Sequence, residues 1–352
     1  MKQHYLLALF LIIVIPSIGQ RAPIKVGKID IANLKMTHFV KDSSASAIVL
    51  CDFGLFDNTD FTFTRILRIK ILNKDGLSRA NQLFRTPSKA NIRGITYNLE
   101  NDKVVETKLK NSMIYRERMT EGAYRLRFSM PNVKVGSVID LEYSYLGFPN
   151  AWYFQDTIPV LWSELILEPS IYIKFQTNTF GSEPFYIEED YHWVAKDMPS
   201  FVAEPFMSSI ENYITKFEFD ISTINFPGYF KTYTTSWNAV NAFFLKHEYF
   251  ADALVGSSYL RKIAHKIEDS CQTPTDKLDA VYKAVKHVKW NNRYDVFASA
   301  GNLKFVWDEQ IGNSADINLI LYQLLKKLNI EAYPVVMSTR ENGMLSPVFP
   351  SL

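Results

Sequence analysis

Only two cysteines, Cys51 and Cys271, occur among the 352 residues. They sit far apart and in no C-x-x-C or Cys/His spacing, so neither a disulfide framework nor a structural metal is expected. A single bridge between them would suit an oxidising compartment, but Cys51 lies in an apolar strand-like run, residues 47–53, where a free buried thiol is equally natural. An excess of one charge is missing too: 39 Lys and Arg stand against 37 Asp and Glu. No basic run is interleaved with aromatics, and nucleic acid is therefore not an expected partner. Low-complexity segments are absent. So is any apolar run of the roughly twenty residues that crossing a bilayer takes.

The longest apolar run, residues 5–15, follows Lys2 and leads into Pro16-Ser17-Ile18-Gly19-Gln20. That is the order of a signal peptide, with Ser17 and Gly19 small enough for the peptidase pockets and the cut before Gln20. Residues 1–19 are thus expected to be removed, leaving no stable membrane span and a secreted or periplasmic protein. No cysteine follows the cut, which argues against a lipid anchor.

The full sequence is 47% hydrophobic and 22% charged, enough to bury sizeable cores in about two domains. From residue 20 to 234 the pattern is mostly strand. Ile66-Leu67-Arg68-Ile69-Lys70-Ile71 alternates apolar and basic residues before the turn Asn73-Lys74-Asp75-Gly76, and residues 135–143 alternate again. Period two predicts half-buried strands. Further strand-like runs at 171–176 and 213–221, with no helical pattern between, predict an antiparallel β-sandwich-like domain. Trp152-Tyr153-Phe154 and Tyr229-Phe230 fit the core between sheets better than a sugar-stacking platform.

Near Trp237 the period changes to three and four, through Val240, Phe243, Phe244, His247 and Phe250. The chain switches to amphipathic helices. Thr273-Pro274-Thr275-Asp276 supplies a cap, a first-turn proline and an acid for a helix whose apolar face is Leu278, Val281, Val285 and Val288. Gly312-Asn313-Ser314-Ala315-Asp316-Ile317-Asn318 then opens a further helix, capped by Asn313 or Ser314, with a face of Ile317, Ile320, Leu321, Leu324, Leu325 and Leu328. A strand-like run at 330–337 and a turn at Glu341-Asn342-Gly343 follow. The whole reads as α+β.

These segments resemble the transglutaminase-like superfamily, relatives of papain-like cysteine proteases, in which a G-x-C-x-[DE] motif opens a buried helix. The matching positions here are Gly312-Asn313-Ser314-Ala315-Asp316, with Val288-Lys289-Trp290-Asn291 like the "I-x-W" segment upstream and Asn329-Ile330-Glu331-Ala332 like the strand that follows. Ser46-Ala47-Ile48-Val49-Leu50, Arg68 to Gly76, Phe154-Gln155-Asp156 with Pro159, and Glu204-Pro205-Phe206-Met207 resemble the uncharacterised β domain that precedes such domains in exported bacterial proteins, particularly of Bacteroidetes. The resemblance implies three parts: a signal peptide over 1–19, a β domain over 20–234 and an incomplete transglutaminase-like domain over 235–352.

In active members a helix-terminal cysteine is held as thiolate by a histidine, which an Asp or Asn orients. Here Ser314 stands at the nucleophile position with Asp316 beside it, and the strands that would carry the histidine and its partner lie beyond the sequence. A serine hydroxyl at a helix terminus needs an adjacent base. His247, His265 and His287, in the helical part, and His38 and His192, in the β part, sit in no spaced motif and read as surface or core residues. Asp316 reads as first-turn charge, Glu188-Glu189-Asp190 as a solvated loop, and Cys271 ahead of its helix cap as an unreactive thiol. No catalytic residue is assigned, and no cofactor or metal is implied. The expected function is a non-catalytic extracytoplasmic binding or scaffolding protein whose partner is a peptide, a glycan or another envelope protein. The alternatives are a Ser-substituted acyl-transfer or peptide-hydrolysing enzyme and a fragment of a longer protein.

Overall fold

The computed structural model describes residues 22–119, 123–168, 170–232, 236–255, 257–347 and 350. The expected signal peptide and the expected boundary at 234/235 lie outside these residues. The chain forms two compact units: residues up to Ile171 together with Gln176–Phe219, and Tyr172–Phe175 together with Asp220 onward. The architecture is mixed α+β, with sheet predominating.

The first unit opens with a short helix, α1 (Ile31–Lys35), followed by strands β1 (Ala47–Asp57), β2 (Thr62–Ile71), β3 (Asn81–Thr86), β4 (Asn91–Glu100), β5 (Lys103–Lys108), β6 (Tyr115–Arg118), β7 (Tyr124–Ser129) and β8 (Val138–Leu146). Then come β9 (Ala151–Tyr153), β10 (Val160–Leu167), β11 (Ile173–Phe180), β12 (Ile187–Glu189), β13 (His192–Met198), β14 (Lys216–Phe226) and β15 (Tyr229–Thr232). Eight of them make one sheet in the order β12-β13-β10-β1-β2-β8-β4-β5, in which β1 and β10 run parallel and the other neighbours antiparallel. A three-stranded sheet has the order β3-β7-β6, and β14 pairs with β9 at its start and β15 at its end.

Ile66, Cys51, Phe53, Tyr97 and Val138 share one face of the large sheet, and Val26 and Leu34 of the N-terminal segment close over them. Arg68 and Lys70 lie on this same face, only 4% and 0% exposed, which corrects the expectation of a half-buried strand. Each has a partner inside. Arg68 grips Asp140 with two bonds, Nε to Oδ1 at 2.6 Å and Nη2 to Oδ2 at 2.8 Å, and also donates to the Lys28 carbonyl. The Tyr97 hydroxyl donates to the same carboxylate and accepts from Gly27 N–H. Lys70 Nζ donates to the Leu34 and Gly136 carbonyls, and burial lowers its pKa to about 8. A buried charge is tolerated only when paired and hydrogen-bonded, so these contacts fasten the N-terminal segment to the sheet.

The opposite face meets Trp152, only 2% exposed. Gly54 makes this approach possible, because a Cβ there would come within 2.6 Å of the indole. Trp152 and Phe154 are in the core as expected, where Phe154 also meets Phe217 edge to face, whereas Tyr153, Tyr229 and Phe230 are exposed, which corrects that expectation for these three. Cys51 and Cys271 are both free thiols, and burial pushes the Cys51 thiol far up.

The second unit takes residues 173–175 of β11, the end of β14 and all of β15, and is otherwise helical: α2 (Trp237–Lys246), α3 (Glu248–Val255), α4 (Arg261–Ser270), α5 (Pro274–Val285), α6 (Lys304–Glu309) and α7 (Ser314–Lys327), with a two-residue parallel ladder between β16 (Lys289–Trp290) and β17 (Ile311–Gly312). Thr273 caps α5, its Oγ1 accepting from Asp276 N–H. Leu260, Val281, Leu303, Ile320 and Leu324 fill the core. The buried face of α7 is rotated from the expected one: Leu319 and Gln323 are inside, while Ile317, Leu321 and Leu325 are only partly covered. Gln323 escapes the apolar pattern because it is polar, yet it is satisfied by the Tyr259 hydroxyl and the Ala253 carbonyl. Leu278 is half exposed rather than part of the α5 face. Residues 330–337 form no strand, which corrects that expectation. No strand runs beside them among the described residues, and Tyr333, Val335 and Met337 are exposed.

Candidate functional site

The N-terminus of α7 gathers the segments singled out in the sequence. Trp290 pairs with Gly312 across the ladder, and Gly312 is required there, since a Cβ would meet Val306 at 2.7 Å and Asp316 at 2.8 Å. Asn313 is the cap, accepting from Asp316 N–H through Oδ1, while Asp316 Oδ2 accepts from Asn313 N–H. This reciprocal capping box satisfies two of the helix's unpaired donors. Asp316, fully buried, also takes both the N–H and the hydroxyl of Ser299 on Oδ1. It is therefore a first-turn charge, as expected, and a buried anchor as well.

Ser314 is half-buried at the first turn. Its Oγ accepts from Asp295 N–H at 2.9 Å and donates to the Asp295 carbonyl at 2.9 Å. Asn313 Nδ2 donates to the Phe297 carbonyl at 3.1 Å. Three motif side chains thus hold the loop 295–299 against the helix. A carbonyl oxygen is far too weak a base to accept the serine proton, and the helix dipole alone cannot make an alkoxide.

His247, at the C-terminal cap of α2, stacks on Phe297 with ring centroids 3.9 Å apart, and its Nδ1 is buried with no hydrogen-bond partner. Of the histidines weighed from the sequence, it is therefore the one shown packed on the loop that Ser314 holds. Nothing local in the sequence signals this, because Phe297 lies fifty residues downstream. Glu188, Glu189 and Asp190 are exposed, as expected of solvated carboxylates, but Glu188 and Glu189 belong to strand β12 rather than to a loop. Among the described residues no three His, Cys, Asp or Glu side chains gather as a metal site, and no helix is long and apolar enough to cross a membrane.

A second candidate was not foreseen. In the first unit a cavity of about 370 Å³ opens over the face of the large sheet that carries Leu67 and Leu141, bordered by β3 and by Tyr153, Gln155 and Asp156. Two arginine–carboxylate forks flank it. Arg65 donates to Asp52 through Nε at 2.7 Å and Nη2 at 2.6 Å, reaches the Tyr143 hydroxyl at 3.3 Å, and lies 4.9 Å over the Trp152 ring. Arg79 donates to Asp156 through Nη1 at 3.0 Å and Nη2 at 2.9 Å. Burial raises the Asp52 carboxyl against the pull of Arg65. Burial also opposes the Arg65 charge, but Asp52 more than offsets it and holds the guanidinium ionised. Neither fork is legible in one sequence, since each joins residues from separate elements.

Residues 57–202 match a family described as a domain of unknown function with a solved structure, DUF3857. No curated protein matches the chain. Among solved structures, the crystal structure of "a putative protease" from Parabacteroides distasonis is similar with a TM-score of 0.55 at 13% identity, covering 81% of this chain and 59% of that one. This chain therefore spans less than two thirds of that structure's length, and at such identity the likeness is one of fold. Native yeast LTA4 hydrolase gives a TM-score of 0.24 at 7% identity over 51% of this chain and 30% of that one. The same enzyme with bestatin gives 0.24 at 8% over 58% and 32%. Those two values carry no inference.

Proposed function

We propose that this chain is an extracytoplasmic, non-catalytic binding or scaffolding protein, with a β-sandwich-like first unit and a transglutaminase-like second unit in which serine replaces the nucleophile. One observation carries the lack of catalysis: the Ser314 hydroxyl is spent, as donor and acceptor, on the backbone of Asp295. In that role Ser314 is a loop anchor, and its replacement acts on stability. Export is supported by the apolar run at 5–15 with its small-residue exit.

The test is a serine-directed fluorophosphonate probe on the full chain, read by intact mass. The expected result is no adduct, with Ser314→Ala lowering stability by about 1 kcal/mol through the lost hydrogen bonds. An adduct at Ser314 that this substitution removes, together with ester or amide turnover, would sink the proposal.

A second reading, acyl transfer by Ser314, draws on the unpartnered Nδ1 of His247 stacked on Phe297. Under it, labelling would occur and His247→Ala would abolish it.

A further inference from the structure

We infer that the cavity of the first unit is a peptide-binding site, taking an uncharged, extended segment that pairs its main chain with the outer edge of β3 and lays one aliphatic side chain on the floor around Leu67. This goes beyond the proposal about Ser314, because every residue lining the cavity belongs to the first unit.

The register of the lining points to an edge. Asn81, Gln82, Leu83 and Phe84 are four successive residues of β3, and all of them border the cavity. Side chains of a strand alternate between its two faces, so successive residues meet one space only where that space runs along the strand's edge. β7 occupies one edge of β3, and among the described residues no strand occupies the other. An unpaired edge offers N–H and C=O groups on alternate residues, the pattern that a further strand completes.

The floor explains the side chain. Leu67 lies in the middle of β2, between β1 and β8, yet it remains partly accessible while its cross-strand partners Asp52 and Leu141 are buried. Leu67 thus gives the cavity an apolar floor. Charge selects the rest. Both arginines are already neutralised by forked carboxylates at 2.6–3.0 Å, so a charged ligand would have to displace one of these pairs. The groups with capacity to spare among the described residues are uncharged: Gln82 Oε1, the Asn81 amide and the proton of the Tyr143 hydroxyl. The volume, about 370 Å³, is near the lower end of the roughly 300–1,000 Å³ typical of ligand pockets. That suits one side chain with its flanking main chain.

The test screens the full chain against a random library of N-acetylated, C-amidated hexapeptides, with the enriched sequences measured by calorimetry. Uncharged peptides with a central aliphatic residue should be enriched. N-methylation at one alternate set of positions should weaken binding about tenfold while the other set leaves it unchanged, and Leu67→Arg should abolish binding. Independently of whether that variant folds, a peptide carrying benzoylphenylalanine at the aliphatic position should crosslink to the floor at Leu67 and Leu141 or to the bordering residues 81–84 of the unaltered chain. The inference is overturned by an absence of enriched peptides, by equal sensitivity to both N-methyl sets, by crosslinks elsewhere, or by maltotriose displacing the peptide.

Discussion

Inside the first unit lie Arg68, Lys70, Asp140, Glu164 and Lys216, all less than a tenth exposed, whereas in the second unit the buried polar residues among those described are Ser222, Asn313, Asp316 and Gln323. The contrast separates two ways of specifying a fold. In the first unit a buried cation has an acceptable partner in only one arrangement of the chain: Arg68 needs Asp140 from β8 and the Lys28 carbonyl, and Lys216 needs Glu211 and Glu218. In the second unit, aliphatic side chains pack against one another in a core that would tolerate exchange. Its polar precision is concentrated at one helix terminus, where Asn313, Ser314 and Asp316 hold a loop.

The sharpest way to break this comparison is Asp140→Ala. It leaves the Arg68 guanidinium buried without its counter-ion and the Tyr97 hydroxyl without its acceptor, and is expected to cost about 3–5 kcal/mol, read from urea unfolding of the full chain. A cost under about 1 kcal/mol would mean that the pair does not specify the sheet.

Asp316→Ala tests the second unit. It strands the Asn313 and Ser299 N–H groups and removes a carboxylate from a helix N-terminus, for an expected loss of about 2–3 kcal/mol in thermal unfolding. A neutral outcome would show that water replaces the carboxylate and that the loop is held otherwise.

The smallest effect is a pH dependence. Burial depresses the Lys70 pKa from 10.5 to about 8, so between these values the unfolded chain binds more protons than the folded one, and stability contributed by this group rises with pH. The thiol of Cys51 and the hydroxyl of Tyr97, both pushed upward mainly by burial, act in the opposite direction once pH passes their ordinary values. The signature is therefore a difference: between pH 8 and 9 the unaltered chain should gain stability relative to Lys70→Met. Parallel profiles would remove Lys70 as the cause.

Much of the second unit was legible because its signals are local. The Thr273 cap, the change of period at Trp237 and the Asn313–Asp316 spacing each lie within a turn or two of chain, and each is found in place. The rotated face of α7 was not, because Gln323 is buried through bonds to Tyr259 and Ala253, which the apolar pattern cannot register. Residues 330–337 carry the composition of a strand, but a strand is defined by its neighbours. Alternation in β2 placed its side chains on two faces correctly and misjudged their surroundings, since nothing in residues 66–71 reveals that residues 25–34 return to cover Arg68 and Lys70. At the candidate site the residues Ser314 and Asp316 were identified by position, while their roles as anchors of residues 295 and 299 needed coordinates.

The parallel pairing of β1 with β10 sets Val49 beside Val160. A strand whose neighbour lies so far along the chain stays half-paired throughout synthesis of everything between, and contacts of such long separation slow folding. The β1 backbone, with Ile48, Val49 and Phe53 along it, thus passes through a stage as an open, apolar sheet margin before β10 closes it. That stage, rather than the finished molecule, is where this protein is most exposed to aggregation.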